Sequence, residues 1–155
     1  FTRLWWMSTT ARPKADNRRV LRQYSDSMKK LLETKKYNSG VRPSQHNIGR
    51  KSFLTDHGGA IPPNVLTMPN THALDPYLAY CKQHNYKLHP ARMPLALAEF
   101  FIQLLTEPGD LVLDPFGGSN TTGAAAENCG RYWLSIEASA DYIWGSRGRF
   151  NKIML

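Results

Sequence analysis

Two short apolar runs in the last third of the chain predict buried strands. Residues 111–114 and 132–136 are rich in Leu, Val, Ile and aromatic side chains, and turn-forming residues bound both runs. An Ala-rich stretch at 122–127 lies between them and predicts a helix. A strand, a helix and a second strand in this order are typical of an α/β domain with a parallel sheet.

Periodic apolar positions and capping residues predict four further helices. In residues 16–36 apolar side chains recur with a period near 3.6, and Lys and Arg occupy the other face, which predicts one amphipathic basic helix. Residues 75–84 begin with Asp-Pro, the residue types of a helix N-cap and first turn. Residues 94–106 and 139–150 complete the set.

The N-terminal part also contains one strand candidate and one irregular region. Residues 3–8 are rich in aromatic side chains and predict a short strand, in which Trp5 and Trp6 would point to opposite faces. Residues 38–64 contain many Gly and Pro and have no clean periodicity, which indicates loops.

A glycine loop follows the first strand of the α/β unit. Asp114 ends the strand, Gly117 and Gly118 allow a sharp turn close to a ligand, and Ser119 is a candidate cap for the next helix. Glu137 ends the second strand, 20 residues after Gly117, the spacing at which an acidic side chain holds a ribose hydroxyl. The pattern predicts a site for a nucleoside-containing cofactor; an ordinary tight turn is the alternative. G-x-G-x-x-G and Gly-Lys-Ser/Thr do not occur, so neither a dinucleotide fingerprint nor a P-loop is present.

Two motifs together resemble those of the amino-group DNA methyltransferases. Asp114-Pro-Phe-Gly-Gly-Ser-Asn-Thr-Thr-Gly123 is similar to the S-adenosylmethionine loop of that family. His89-Pro-Ala-Arg-Met-Pro94, followed by Glu99-Phe-Phe-Ile102, is similar to the companion motif that contacts the methionine end of the cofactor. The companion motif precedes the glycine loop, which is the order found in the permuted class of this family. The resemblance is greatest to PvuII-type cytosine-N4 methyltransferases and extends from about residue 5 to residue 150.

The resemblance implies a Rossmann-like fold that binds S-adenosylmethionine, with residues 89–155 as the cofactor-binding part. Backbone N–H groups around residues 116–119 and either His89 or Arg92 would meet the methionine end. Glu137 would hold the ribose, and Asp114 would orient the loop or the ammonium group of the donor. The cofactor-binding residues that the resemblance implies are His89, Pro90, Arg92, Asp114, Phe116, Gly117, Gly118, Ser119, Asn120, Thr121 and Glu137.

The distribution of charge predicts a polyanionic partner. Formal net charge is +8, and residues 1–88 carry fifteen Lys and Arg against five Asp and Glu, whereas residues 89–155 carry five against seven. Double-stranded DNA fits the basic part, although a solvated surface is the alternative. The resemblance implies that residues 1–88 include the target recognition region and that Trp5 or Trp6 stacks on a flipped target base. The predicted DNA-binding residues are Lys14, Arg18, Arg19, Arg42, His46 and Lys51.

The catalytic motif of the family does not occur in these residues. That motif is Ser, Asp or Asn, then Pro-Pro and an aromatic residue, whereas Ile61-Pro-Pro-Asn64 begins with a side chain that cannot hydrogen-bond. No catalytic residue is therefore assigned here. We expect that this chain corresponds to the C-terminal part of the enzyme, lacks the catalytic strands, and is inactive unless a second chain or an upstream segment supplies them. A homodimer is a further possibility.

Three functions remain open from the residues and the resemblance. The first is methyl transfer to cytosine N4 in a restriction-modification context, the second is transfer to adenine N6, and the third is a DNA-binding fragment without catalysis. Cys81 and Cys129 lack metal-ligand spacing, so no metal is expected. The apolar runs are too short to span a membrane, and the expected location is the cytoplasm of a prokaryote or phage host, at the nucleoid.

Overall fold

A computed structural model describes residues 2–49, 51, 53–69 and 75–150. Its contacts divide the chain into two compact units, one made of Phe1–Asp16 with Val65–Leu155 and the other of Asn17–Asn64. The elements, in chain order within each type, are α1 (Asp26–Thr34), α2 (Pro76–His84), α3 (Leu95–Leu105), α4 (Thr121–Asn128) and α5 (Ala140–Ser146), with β1 (Gly40–Val41), β2 (Asn47–Ile48), β3 (Leu111–Asp114) and β4 (Tyr132–Ser135). The predicted division at residue 88 separates two roles, target recognition before it and cofactor binding after it. It is not a division into compact units, and it stays a prediction.

The larger unit contains the predicted α/β element. Strands β3 and β4 pair in parallel from Leu111 opposite Tyr132 to Asp114 opposite Ser135, and α4 connects them. Helix α3 packs on α4 through a small buried cluster. This cluster consists of Ala98, Ile102, Ala125 and Ala126, and Val112, Cys129 and Trp133 pack against it. Both predicted strands and the helices at 75–84 and 94–106 are therefore confirmed within one residue of their expected ends.

The other face of the β3–β4 sheet is apolar and exposed. Strand side chains alternate between faces, so one set points away from α4. These are Leu111, Leu113, Tyr132 and Leu134, continued by Ile136, and each is 53% to 72% exposed. A parallel sheet normally has both faces covered by helices. The face is thus of the kind that a further polypeptide segment covers.

The predicted strand at residues 3–8 does not form. Residues 2–8 have no regular structure, and Trp5 is 84% exposed and Trp6 50% exposed. A strand is stabilised by its hydrogen bonds to a neighbour, and within the described residues no strand pairs with this segment. The aromatic-strand prediction is therefore wrong for this chain.

The predicted single helix at residues 16–36 is also wrong, because it is interrupted in the smaller unit. A 3-10 turn at Asn17–Val20 is followed by extended backbone at Arg22, which exchanges two hydrogen bonds with Ala60, N to O, at 2.9 and 2.8 Å. Helix α1 then starts afresh at Ser25, whose side chain accepts a hydrogen bond from Met28 N–H at 3.3 Å. A long-range bridge thus overrides a local helical period.

The rest of the smaller unit is mostly irregular, as the sequence predicts. Its ladder is the antiparallel pair β1–β2, two residues in each strand. Residues 61–63, which begin the Ile-Pro-Pro-Asn segment, form no helix or strand. In the described part of the chain no helix combines the length and the apolar character needed to cross a bilayer.

Candidate cofactor site

The glycine loop begins at Asp114 and ends at the first residue of α4. Gly118 is buried and has a φ of +53°, a left-handed conformation that favours glycine. The cap of α4 is Asn120, not Ser119 as predicted: Asn120 has a φ of 55°, and its side-chain oxygen accepts from Gly123 N–H at 3.1 Å. Asn tolerates a positive φ much better than Ser, which explains the shift by one residue.

Asp114 orients the loop, which is one of its two predicted roles. Its Oδ1 accepts a hydrogen bond from the backbone N–H of Phe116 at 3.0 Å. The next N–H, of Gly117, donates to the carbonyl oxygen of Ile136 at 2.8 Å and ties the loop to the end of β4. Phe116 itself is 88% exposed at the tip. The loop is therefore held by its own strand and by the neighbouring strand.

Glu137 lies directly against this loop. Its carboxylate accepts from Gly118 N–H at 2.7 Å and from Ser139 N–H at 2.9 Å. These bonds, the one from Ser139 first and the one from Gly118 second, hold the pKa of Glu137 below its usual value. The carboxylate is therefore ionised at neutral pH.

The same hydrogen bonds change one expectation about the loop. The N–H groups of Phe116, Gly117 and Gly118 all donate within the chain, to Asp114, Ile136 and Glu137. A ligand that takes these donors has to share or displace those acceptors. Loop N–H groups at the methionine end therefore stay a prediction, while the structure shows the carboxylates of Asp114 and Glu137 as acceptors for two of those N–H groups.

His89 packs over the glycine loop from the other side. A Cβ added to Gly118 would lie 3.0 to 3.2 Å from three atoms of the His89 ring. The ring is fixed by its Nδ1, 2.6 Å from the carbonyl oxygen of Ala91, and by edge contact with Tyr142 at 4.7 Å between ring centres. Its backbone N–H donates to the Tyr77 hydroxyl at 2.9 Å. The two resembling motifs thus meet at Gly118, and Pro90 follows as an exposed residue.

The predicted cofactor-binding residues are divided between two clefts of the larger unit. One of about 240 Å³ is lined by Gly118, Asn120 and Glu137, together with Trp133 and Phe150. A second of about 430 Å³ is lined by residues from α2, α3 and α4 and holds Arg92. The structure therefore groups His89 and Glu137 at the loop and places Arg92 in the second cleft.

Ser119 and Thr121 are buried and face inward. Their hydroxyl oxygens lie 3.2 Å apart, and Ser119 also contacts the guanidinium of Arg149. These two side chains are thus placed to support the loop. Their direct contact with the cofactor stays a prediction.

The predicted DNA-binding residues fall in different surroundings. Lys14 lies 2.7 Å from Asp110 Oδ1 and 3.6 Å from Glu107 Oε2, so part of its charge is balanced within the larger unit. The hydrogen bond to Asp110 is the largest cause of its raised pKa. Arg18 and Arg19 lie in the 3-10 turn of the smaller unit, and Lys51 is exposed.

Arg42 and His46 are brought together at the tip of the β1–β2 hairpin. Arg42 N–H donates to the carbonyl oxygen of His46 at 2.9 Å, and the Arg42 side chain donates to the Asn38 carbonyl oxygen at 3.0 Å. Gln45, between them, has a φ of 62°, which completes the turn. His46 is exposed and Arg42 is partly exposed. The sequence analysis predicted that both residues bind DNA, but it did not predict the hairpin that brings them together.

Comparisons with known proteins identify the family of this chain. The model of a family described as DNA methylase matches residues 3–146. A type II methyltransferase of Proteus hauseri, M.PvuII, is 53% identical over 149 residues, which is 95% of this chain. This chain belongs to the DNA methylase family. The resemblance to PvuII-type amino-group methyltransferases is thereby confirmed.

Other members of the DNA methylase family support the same fold. A solved structure of PvuII DNA methyltransferase (cytosine-N4-specific) aligns with a TM-score of 0.57 and 50% identity over 61% of this chain and 34% of that one. A DNA adenine methyltransferase of Escherichia coli, YhdJ, is 40% identical over 54% of this chain and 26% of its own length. The predicted α/β methyltransferase fold is confirmed. The chain spans less than half the length of these relatives, 44% in the case of M.PvuII.

Three residues at this site escaped the sequence analysis. Arg149 contacts Ser119, Tyr77 contacts His89, and Asp75 contacts Arg149. Asp75 was expected only as a helix cap, a role that it also has, since its Oδ1 accepts from Tyr77 N–H at 3.0 Å. No motif links these positions in the sequence. Their contacts join elements that are far apart in the chain, so the sequence offered no signal for them.

Proposed function

We propose that this chain is the cofactor-binding and target-recognition part of a DNA methyltransferase that transfers a methyl group from S-adenosylmethionine to cytosine N4. One observation carries the proposal. The His89 ring, the Glu137 carboxylate and the glycine loop converge on Gly118, where a Cβ would strike the His89 ring. An ionised carboxylate next to a loop of minimal side-chain bulk fits a ribose and the cationic end of a sulfonium cofactor.

The residues of this chain would hold the cofactor in distinct ways. Glu137, ionised at neutral pH, would accept hydrogen bonds from the ribose hydroxyls, and Asp114 keeps the loop in place through Phe116 N–H. His89 limits the space above Gly118, and either His89 or Arg92, which lines the second cleft, would meet the methionine end. Bound S-adenosylmethionine supplies a methyl group on a good leaving group. The protein then contributes position, which is a major source of rate in such transfers.

The acceptor amine requires groups that these residues do not contain. The amine is a weak nucleophile, and hydrogen-bond acceptors have to receive its protons as it reacts. In the resembling family a Ser, Asp or Asn followed by Pro-Pro and an aromatic residue does this. We propose that a second chain or a further segment supplies that motif and covers the exposed apolar face of β3 and β4. Without it, no methyl transfer is expected.

DNA would contact the smaller unit and its basic loops. Arg42 and His46 at one hairpin tip are suited to phosphates or base edges, and exposed Lys51 adds a phosphate contact. The target cytosine would leave the duplex to reach the methyl group, because its amine is inaccessible inside the stack. Exposed Trp5 or Trp6 would stack on it. Restriction-modification, in the cytoplasm of a prokaryote or at phage DNA, is the proposed setting.

We propose cytosine rather than adenine as the target because the sequence similarity to M.PvuII extends over more of this chain than the similarity to YhdJ. The likeness to M.PvuII covers 95% of this chain at 53% identity, whereas that to the adenine methyltransferase YhdJ covers 54% at 40%. Adenine N6 is the second candidate.

The cofactor step is tested by isothermal titration of the chain with S-adenosylmethionine. Saturable binding is expected, reduced at least ~5-fold by Glu137→Gln, because a bidentate ionic acceptor becomes a single neutral one. Asp141→Asn, an exposed acid on α5, is the matched control and should leave affinity unchanged. Equal affinities for all three proteins would contradict the role of Glu137.

The transfer step is tested by mass spectrometry of nucleosides from treated DNA. The chain alone should yield no methylated base. Addition of the part of M.PvuII that this chain does not match, in which the resemblance implies the Pro-Pro motif, should yield N4-methylcytosine. Appearance of N6-methyladenine would select the second candidate, and methylation by the chain alone would disprove the need for the missing motif.

A further inference from the structure

Arg149 contacts the glycine loop with its shortest hydrogen bonds. Its Nε donates to the Ser119 carbonyl oxygen at 2.6 Å, and a terminal nitrogen donates to Ser119 Oγ at 3.0 Å. The two contacts with Asp75 are longer, 3.4 and 3.5 Å. If Arg149 served only to neutralise Asp75, its contacts with that carboxylate would be expected to be the shorter ones. The guanidinium is therefore aimed at the loop, and the carboxylate lies behind it.

The position of Arg149 is determined by close packing of the segment that carries it. A Cβ at Gly145 would lie 2.8 Å from Cys81 Sγ, and one at Gly148 would collide with Tyr80. These two glycines let α5 and the turn after it approach α2. Arg149 consequently has a side chain that is only 7% exposed, and its guanidinium carbon lies 5.0 Å from the centre of the Tyr77 ring.

Helix α2 supports both cofactor motifs from its first turn. Asp75 anchors Arg149, and the Tyr77 hydroxyl accepts the backbone N–H of His89. The glycine loop is thus connected to this turn through Arg149 and Asp75, and His89 is connected to it through Tyr77. A fixed distance between them follows, because buried groups with satisfied hydrogen bonds have little freedom to shift.

We propose that Arg149 is a positioning residue that sets the orientation of the glycine loop through Ser119, with Asp75 as its anchor. This rests on the proposed function, since the loop matters through the cofactor. A planar guanidinium presents its donors in fixed directions, so two bonds to one residue fix both its backbone and its side chain. The alternative is an ion pair that only stabilises the fold.

The experiment compares Arg149→Met, Asp75→Asn and the double variant with Lys82→Met, an exposed control on the same helix. Asn still caps α2 well, so Asp75→Asn keeps the cap while it removes the charge and one of the two oxygens that accept from Arg149. Urea unfolding gives stability, and titration calorimetry gives affinity for S-adenosylmethionine. Arg149→Met is expected to lower affinity at least ~10-fold, because small misplacements of a bound group are costly. Asp75→Asn should lower it less than ~3-fold, and Lys82→Met should not lower it at all.

The double variant separates positioning from charge balance. It should unfold at a higher urea concentration than Arg149→Met, because no unpaired carboxylate stays behind, yet bind the cofactor as weakly. Recovery of affinity together with stability would overturn the proposal. If Arg149→Met does not fold, Arg149→Lys replaces it: Lys keeps the charge but not the fork, so affinity should still fall in a folded protein.

A second readout keeps this test independent of the cofactor. Amide hydrogen exchange of a peptide covering residues 114–121 should be faster in Arg149→Met and in the double variant than in Asp75→Asn or Lys82→Met. If the unaltered chain binds no S-adenosylmethionine, the proposed function fails at its cofactor step. The exchange pattern still decides the positioning role, and equal loop exchange in all variants would refute it.

Discussion

The Glu137 carboxylate accepts the backbone N–H of Gly118 at 2.7 Å, which joins the end of β4 to the loop that follows β3. In sequence these residues are 19 positions apart. In space they form one rim, because parallel neighbouring strands end at the same edge of a sheet. A carboxylate expected to serve a ligand is therefore also part of the loop's own support.

The ionisation of Glu137 should contribute to stability in a defined pH range. Its folded-state pKa is lowered by Ser139 N–H and Gly118 N–H, so its contribution is fully present above the unfolded-state pKa of about 4.3. It is lost as pH falls through the lower folded-state value. Glu137→Gln should cost about 1 kcal/mol at pH 7 and progressively less below pH 4.

Urea unfolding of both proteins from pH 7 down to pH 3 measures this difference. A cost that stays constant over the whole range would show that the ionised form of Glu137 is not what the two N–H groups stabilise.

Replacement of Gly118 by Ala should be worse than the same change at Gly130. Both glycines have a positive φ, +53° and +70°, so each variant carries about 1–2 kcal/mol of backbone strain. A Cβ at Gly130 meets nothing within 4 Å, whereas one at Gly118 meets the His89 ring, which Ala91 and Tyr142 hold in place. Gly118→Ala should thus cost about 1 kcal/mol more and weaken cofactor binding.

Thermal or urea unfolding and calorimetry of the two variants check this prediction. Gly130→Ala should bind S-adenosylmethionine as the unaltered chain does. Equal losses of stability in the two variants would mean that the His89 ring can move aside without a cost in free energy.

Removal of the Tyr77 hydroxyl should destabilise the His89 motif. Tyr77 is fully buried, and its oxygen accepts His89 N–H at 2.9 Å. Tyr77→Phe leaves that N–H without its acceptor, at a cost of about 1–3 kcal/mol. Tyr80→Phe is the control, because the Tyr80 hydroxyl bonds to none of the residues that the structure describes. Urea unfolding should separate the two, and a loss below 0.5 kcal/mol for Tyr77→Phe, about the limit for neutral changes, would contradict the role.

The exposed sheet face should tolerate charge in this chain. Leu134 is 53% exposed, so Leu134→Lys should change the free energy of unfolding by no more than about 0.5 kcal/mol. Ile102, 7% exposed in the core, provides the comparison: Ile102→Ala should cost about 2–5 kcal/mol. In the complemented methylation assay Leu134→Lys should abolish activity. Full activity would show that the added polypeptide does not cover this face.

Arg42 should contribute to DNA affinity through charge. Arg42→Ala is expected to weaken binding to duplex DNA and to reduce the slope of log affinity against log salt by about 0.9, as for one lost phosphate contact. Lys29→Ala is the control from the same unit, since Lys29 already lies 3.5 Å from Asp26. Fluorescence anisotropy at several salt concentrations measures both. An unchanged slope for Arg42→Ala would exclude a phosphate contact.

Elements that depend on their own residues could be predicted, and those that depend on distant partners could not. The strands at 111–114 and 132–135 and the helices α2 and α3 rest on local apolar pattern and on caps such as Asp75. The basic stretch after Asn17 has an equally good helical period, yet Arg22 pairs with Ala60, 38 residues away. Periodicity contains no information about such a bridge.

The sequence alone determined the glycine loop, its order after the His89 motif, and the acid 20 residues beyond Gly117, because backbone freedom and motif spacing are properties of nearby residues. Only the tertiary structure decided which hydrogen bonds those groups make. It showed that Asn120 rather than Ser119 caps α4, that three loop N–H groups are already used, and that Arg149 lies against Ser119. Such contacts arise where separate elements pack together, and packing depends on the whole chain at once.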